Sequence, residues 1–494
     1  MDFYEFEQII CLDFYEFGQI ICLENFIYLY LHPEIQAVSM YYKRLIDKYL
    51  LEWAFSEDHK PILLRGARQV GKSTAVKSLG KNFENFIEIN FEKQPEYKVV
   101  FNENLDVTRI VSQISALSGK SIEAGKTLLF LDEIQSCDKA IMSLRFFKED
   151  MPELHVIAAG SLLEFALEEL PTFGVGRIHS MFMYPMTFDE FLEANGEILL
   201  INERNKNINN NPLPEPLHLK LISLLRIYML IGGMPEVVKK WIETKDFIKC
   251  QEIQDDIIVS YQDDFSKYNK KVNPTLLRQT LYSVAIQANN KFIYSKVGNN
   301  YKTEEVKKAL EMLILAGLII PVTHSNANGL PLGSESDNSY RKMLLFDTGL
   351  TLRLLNMSIG DITTITTQIL TANVADLVNK GPIAEQIVGL EMLRYQSPNI
   401  RHSLFYWVRQ TKNSLAEIDY LSNNAQSVLP IEVKAGTQGG MKSLWLFMRE
   451  KKLSKAIRCS LENFGRFSYD DNGEIREVCI CPVYAVSMIK EVVK

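Results

Sequence analysis

Residues 62–79 read Ile-Leu-Leu-Arg-Gly-Ala-Arg-Gln-Val-Gly-Lys-Ser-Thr-Ala-Val-Lys-Ser-Leu. Within them, 66–73 fit the phosphate-loop pattern G-x-x-x-x-G-K-[ST], preceded by an apolar strand pattern and followed by a helix-compatible stretch. That strand–loop–helix context is what gives the motif its meaning. Gly66 and Gly71 let the backbone wrap closely around phosphates with its N–H groups pointing inward. The start of the next helix adds positive partial charge. Gly66, Ala67, Arg68, Gln69, Val70, Gly71, Lys72, Ser73 and Thr74 are the expected nucleotide-binding residues. Lys72 is expected on the β- and γ-phosphates and the Ser73 hydroxyl on Mg²⁺.

A chance match is expected in roughly one chain of this length in fifty, so a second motif carries weight. Residues 127–133, Thr-Leu-Leu-Phe-Leu-Asp-Glu, are an apolar run ending in two acids, the pattern of a buried parallel strand. Ligands gather at the carboxyl ends of such strands. Asp132 is expected to hold the Mg²⁺ and Glu133 to polarise the attacking water. The expected ligand set is therefore a nucleoside triphosphate with Mg²⁺.

The 494 residues suggest two to four domains. Apolar content of 47% and charged content of 23% describe an ordinary globular composition. The longest uncharged apolar stretch, Met312–Val322, is too short to span a bilayer. The seven cysteines show no paired metal-ligand spacing, and free thiols in a reducing cytoplasm are expected. The segment DFYEFEQIICL at 2–12 recurs as DFYEFGQIICL at 13–23. We read 1–39 as an upstream extension, non-native or disordered, with a natural start at Met40; a short partner-binding element is the alternative.

A net charge of −7 argues against indiscriminate nucleic-acid binding, yet the charge is uneven. Nine Lys/Arg face two acids between Phe265 and Leu310, and seven face one between Lys434 and Arg458. These islands suit phosphate backbones or solvated helix faces equally.

Strand patterns alternating with helical ones predict a parallel α/β sheet for 40–185, including Phe86–Phe91 and His155–Ala159. Tyr41–Phe55 reads as an amphipathic helix leading into it. Ser161, after the fourth strand, is a candidate γ-phosphate sensor or the N-cap of a helix over Leu162–Leu170. Arg177 is a candidate arginine finger or a surface ion pair. Glu197–Pro216 reads as a surface loop, and Leu217–Tyr261 as a helical lid interrupted at Gly232-Gly233. Helices at Leu276–Gln287 and Thr303–Leu315, then strands at Leu318–Val322 and Met343–Phe346, form a winged-helix pattern. Such a unit presents Lys302, Lys307 or Lys308 to a DNA groove, or serves protein interaction.

A second constellation follows. Ile383–Leu393 is a helical pattern containing Glu385; Leu404–Val408, Glu417–Leu421 and Leu429–Lys434 read as strands. A hairpin would bring Asp419 and Glu432 to one edge, where they would share a divalent metal. Lys434, two residues after Glu432, points to the same face and would orient water. The D…E-x-K arrangement resembles the PD-(D/E)xK nuclease signature.

Taken together, GARQVGKST (66–74), LLFLDEIQ (128–135), AAGSLLEF (158–165), YPMTFDEFL (184–192), GGMPEVV (232–238), LFDTGL (345–350), GPIAEQIVGLEML (381–393) and EIDYL…PIEVKAG (417–436) resemble a prokaryotic family of AAA-type ATPases with a C-terminal domain of unknown function. The resemblance implies an ATPase core at 40–185 related to the origin-recognition type, a lid at 186–265, a winged helix at 266–350 and a nuclease-like α/β domain at 375–494. It implies ATP hydrolysis with Mg²⁺ and brings no established substrate. The leading expectation is a cytoplasmic ATP-dependent DNA-binding switch or motor, not membrane-bound, that forms a homo-oligomer. An ATP-gated nuclease using Glu385, Asp419, Glu432 and Lys434, or a non-catalytic regulator of protein interactions, is the alternative.

Overall fold

The computed structural model describes residues 41–161, 163–169, 176–206, 211–268, 272–355, 381–409, 416–424, 426–434 and 440–493. The duplicated N-terminal segment lies outside them. Every element named here belongs to the compact unit 43–494.

The first sheet is parallel throughout, with strands β1 (Ile62–Arg65), β2 (Asn85–Asn90), β3 (Thr127–Asp132), β4 (His155–Ala159) and β5 (His179–Phe182). Their order is β2-β3-β4-β1-β5, so β4 separates the strand before the phosphate loop from the strand ending in Asp132. β3 and β4 are buried at every position, which is why their sequences show apolar runs rather than alternation. Helices α1 (Leu45–Ala54), α2 (Lys72–Gly80), α3 (Val107–Ser118), α4 (Asp138–Asp150) and α5 (Leu163–Glu169) flank the sheet. Alternate strand residues such as Ile87, Ile89, Leu129, Leu131 and Val156 share one apolar core with α3 and α4. The Asp106 carboxylate caps α3, accepting from Thr108 N and Arg109 N.

Next come α6 (Phe188–Ala194) and α7 (Ile198–Asn205). The latter corrects the expected loop over 197–216. Asparagine and proline set the local pattern there, but tertiary contacts override it: Leu200 is buried, and Arg204 is fully buried against Asp189 and the Tyr484 carbonyl. The rest of the stretch expected as a lid, 186–265, contains α8 (Glu215–Ile231), α9 (Pro235–Thr244) and α10 (Phe247–Asp264).

Beyond it, α11 (Pro274–Ile286) and α12 (Thr303–Leu315) lead into the antiparallel pair β6 (Ile319–Ser325) and β7 (Ser336–Leu345). This hairpin is not a free wing. Val322–His324 of β6 pair in parallel with Leu404–Tyr406 of β8 (Leu404–Val408). The stretches 266–350 and 375–494, expected as separate domains, therefore share one sheet. Its order is β12-β13-β11-β10-β9-β8-β6-β7, with β9 (Glu417–Asn424), β10 (Ser427–Lys434), β11 (Lys455–Ser460), β12 (Gly465–Asp471) and β13 (Glu474–Pro482). Helices α13 (Thr348–Leu354), α14 (Gly381–Arg394) and α15 (Lys442–Glu450) complete the chain.

A buried polar hub joins the two sheets through the lid. The Met186 carbonyl accepts from Tyr228 Oη at 2.7 Å and from Arg394 at 3.0 Å, and Met186 N donates to the Gly233 carbonyl at 2.7 Å. Glu391 accepts from Phe188 N at 3.0 Å and Tyr228 Oη at 3.1 Å, while Arg394 also reaches the Phe346 carbonyl at 2.8 Å. Asp347 accepts from Gly233 N at 2.7 Å. A Cβ at Gly233 would fall 2.2 Å from the Met186 oxygen, so no side chain fits there. The motifs at 184–192, 232–238, 345–350 and 381–393 thus meet at one place. Burial raises the Glu391 carboxyl to about 7 even with Arg394 beside it.

On the first sheet, His155 stacks on His59 with ring centroids 3.8 Å apart, and Trp53 meets His155 edge-on. Burial, with His59 adding to it, lowers the His155 imidazole to about 4. Its folded value lies below the unfolded one, so stability is full above about pH 6.5 and falls as pH drops toward 4. A loss of up to about 3 kcal/mol is expected over that window. Acid denaturation of His155→Asn is expected to lack this step; an unchanged acid limb would remove His155 as its source.

Candidate nucleotide site and the C-terminal acidic cluster

The phosphate loop joins β1 to α2 as its sequence demands. Gly71, with φ of 98°, turns the chain into the helix, and Gln69 and Glu133 are also left-handed, at φ 62° and 49°. Non-glycine residues in that region are costly and cluster at functional sites. Lys72 Nζ donates to the Gly66 and Ala67 carbonyls, both at 2.8 Å. Burial lowers its ammonium to about 8, against the pull of Glu133 and Asp132.

Ser73 Oγ lies 3.1 and 3.2 Å from the two Asp132 oxygens, and Asn90 Nδ2 donates to Asp132 at 3.1 Å. Burial first, then the neighbouring Glu133, raises the Asp132 carboxyl. A hydroxyl and a carboxylate in contact form the hard oxygen pair that Mg²⁺ takes, so the donor set fits that ion. Glu133 Oε2 accepts from Gln135 Nε2 at 2.7 Å and Ser161 Oγ at 3.3 Å. Lys72, Ser73, Asp132, Glu133 and Ser161 therefore converge.

Sequence reasoning assigned no role to Asn90 or Gln135. Asn90 ends β2 in register with Asp132, and only the strand order makes them neighbours. The stretch expected as a lid supplies two further residues: both Asp264 carboxylate oxygens accept from Arg68 Nη1, at 2.8 and 2.7 Å, and Tyr261 Oη donates to the Arg68 carbonyl at 2.5 Å. The turn after α12 also reaches the loop, with Gly317 packed against Ala67.

Arg177 is not brought to this site. It pairs with Glu149 at 3.2 Å on the surface, just ahead of β5. His179 N bonds the Pro61 carbonyl, so β5 and β1 start level. Arg177 thus sits at the opposite sheet edge from the phosphate loop, about 13 Å of strand away. Within one chain the finger reading is corrected to a surface ion pair, because parallel strands put the two ends of β1 on opposite edges.

In the second sheet, Glu385 on α14, Asp419 on β9, and Glu432 and Lys434 on β10 share one electrostatic neighbourhood. Asp419 accepts from Val433 N at 2.7 Å, and Lys434 pairs with Glu432 at 2.5 Å. Glu432 is 4% exposed, and its Oε2 has no hydrogen-bond partner. Burial and then Asp419 raise Glu385 to about 8, with Lys342 opposing; burial and then Asp419 raise Glu432 to about 7, with Lys434 opposing.

Lys342, on β7, is the residue the sequence did not announce. Its side chain is 1% exposed, and its ammonium pairs with Glu385 at 2.9 Å and with Glu417. Burial works against that charge, but Glu385, Glu417 and Asp419 outweigh it and hold it above the ordinary lysine value. Among the described residues, no three His, Cys, Asp or Glu side chains are arranged to hold a metal. The five described cysteines are free and buried. No described helix is long and apolar enough to cross a membrane.

Comparison with known proteins adds the following. Residues 58–192 match the model of an AAA domain, and 222–359 and 380–483 each match a domain of unknown function. No curated protein matches the chain. Among solved structures, a Walker-type ATPase of Pyrococcus abyssi is 16% identical with a TM-score of 0.41, covering 64% of this chain and 96% of that one. The Orc1 protein of Aeropyrum pernix, solved in complex with DNA, is 11% identical with a TM-score of 0.28, covering 65% and 94%. Unliganded Pif1 from a Bacteroides species is 16% identical with a TM-score of 0.20, covering 37% and 49%. The chain carries an AAA-type P-loop ATPase domain followed by two domains of unknown function.

Proposed function

We propose that the protein is an ATP-hydrolysing switch that engages DNA through the unit built on α11, α12 and the β6–β7 hairpin. The observation that carries this reading is the clasp on the phosphate loop. Arg68 is held by Asp264 and Tyr261 of the lid, and Gly317 at the end of α12 packs on Ala67. A nucleotide entering the loop would contact the same backbone, so its arrival and loss would be felt by α10 and α12.

In hydrolysis Lys72 would neutralise charge on the phosphates, and Glu133 would orient the attacking water. Ser73 and Asp132 would hold Mg²⁺, which shields the phosphate oxygens. Gln135 and Ser161 would set the position of the Glu133 carboxylate.

The test is ATP turnover with and without duplex and single-stranded DNA. Turnover is expected to rise with DNA by about fivefold or more, since a coupling of about 1–3 kcal/mol corresponds to about 5–150-fold. Turnover indifferent to DNA would move the function to an ATP-controlled protein-interaction regulator.

A metal-dependent nuclease is the weaker second reading. Glu385, Asp419, Glu432 and Lys434 do gather, and Glu432 keeps an unbonded buried oxygen. Against it stands the Lys342 ammonium, which already supplies positive charge between Glu385 and Glu417. DNA incubated with Mg²⁺ or Mn²⁺ is expected to stay intact. Cutting that disappears in Asp419→Ala would reverse this preference.

A further inference from the structure

The winged-helix pattern directs attention to α12 as the DNA-facing helix, but its charge does not suit that role. Lys302, Lys307 and Lys308 alternate with Glu304, Glu305 and Glu311, three cations against three anions. Lys307 is paired with Glu304 at 2.7 Å, and Glu311 is paired with Arg341 at 2.7 Å. Such a face offers phosphates little net attraction.

A different surface of the same unit does. Between α11 and the turn Tyr294–Lys296 runs an open groove of about 640 Å³. Its only charged lining residues are Lys291 and Lys296. Both are exposed, and no carboxylate lies within salt-bridge distance of either among the described residues. Beside them the wall is formed by Tyr282, Ile286 and Ile293, exposed at 40%, 57% and 42%. Asn290 adds an amide at the rim.

The groove is held in shape from within. Gln287 is buried, accepts from Ile293 N at 2.9 Å and donates to the Ile293 carbonyl at 3.2 Å and to Ser283 Oγ at 2.9 Å. The Lys291 ammonium lies 3.3 Å from the centre of the Tyr340 ring on β7, which fixes where that charge is presented.

We propose that this groove, rather than α12, is the nucleic-acid surface, and that it takes single-stranded DNA. The proposal rests on the DNA-engaging reading above. Lys291 and Lys296, in no ion pair among the described residues although Asp337 lies near enough to Lys291 to feel its charge, suit the phosphates, while an exposed tyrosine ring and aliphatic wall suit unstacked bases. Duplex DNA buries its bases and would leave Tyr282, Ile286 and Ile293 without a partner. An acidic peptide shares the charge but not the stacking faces.

The test uses the full chain and anisotropy of a fluorescein-labelled oligo-dT strand. Lys291→Glu/Lys296→Glu is expected to weaken binding by about tenfold or more and to flatten its salt dependence. Lys307→Glu/Lys308→Glu is expected to stay within about twofold, because those charges are already offset locally. Tyr282→Ala separates stacking from charge, and a loss of about fivefold or more at unchanged salt slope is expected. Loss of binding in the α12 variant with retention in the groove variant overturns the assignment and leaves DNA engagement standing. Displacement of the strand more readily by duplex, or by poly-glutamate, reassigns the groove to that partner. A wild-type chain that binds no strand and no duplex removes the DNA reading itself, and this inference with it.

Discussion

Lys72→Ala is expected to lower ATP turnover by about two to three orders of magnitude, the usual cost of deleting one charge-stabilising donor at a developing anion. The lysine is 8% exposed, and its ammonium rests on two backbone carbonyls of its own loop. Burial brings its ammonium to about 8, so it lacks a full counter-charge until phosphates arrive. Alanine removes that interaction without touching the glycines that shape the loop. Phosphate release and binding of a fluorescent ATP analogue should both fall. Glu133→Gln is the matching control: turnover should fall by a similar factor while analogue binding persists, because in the proposed mechanism Glu133 would act on water rather than on the nucleotide. Unchanged turnover in both variants would sink the site assignment.

The second large effect is on stability. Arg394→Met is expected to cost about 3–5 kcal/mol, because it strands buried carboxylates rather than removing a whole pair. Arg394 bonds the Met186 and Phe346 carbonyls, Tyr228 Oη and Glu391, all of them buried. Asp347 lies near enough for the same cation to lower its carboxyl against the rise that burial causes. The melting transition should drop by about 3–5 °C, because the unfolding entropy of a unit of this size is about 1 kcal/mol/K. Arg394→Met/Glu391→Leu should recover much of the loss, since replacing both charges by apolar groups avoids the uncompensated one. A single variant that melts with the wild type would show that the hub contributes no stability.

The legibility of the chain followed the range of the interactions. The phosphate loop with its helix start at Lys72, and the strand ending in Asp132, are each a run of consecutive residues, so each pattern is legible locally. The lid helices were legible for the same reason, as their apolar periodicity is local. The segment over 197–216 was not. Its Asn and Pro residues read as loop, while α7 forms around Arg204, whose partners Asp189 and Tyr484 lie 15 and 280 residues away.

Arg177 illustrates a different limit. The sequence left it open between an arginine finger and a surface ion pair, because the sheet edge on which it sits is set by strand order and pairing. Lys342 was hidden more completely: it follows Arg341 and precedes the expected strand Met343–Phe346, a position where a lysine reads as a solvated side chain. Only the pairing of β6 with β8 brings it against Glu385 and Glu417, which belong to the following domain of unknown function. The same strand pairing merged two expected domains into one sheet.

By itself, then, the sequence determined where the phosphate-loop pattern and the strand ending in Asp132 and Glu133 lie, and that a parallel sheet carries them. The tertiary structure alone decided what those residues are connected to. It put Asp264 and Tyr261 on Arg68, gathered four separated motifs around Met186 and Arg394, and filled an acidic cluster with a lysine from another strand. The physical reason is that phosphate binding needs backbone donors a few residues apart, whereas burying a charge needs partners that only the folded chain brings together.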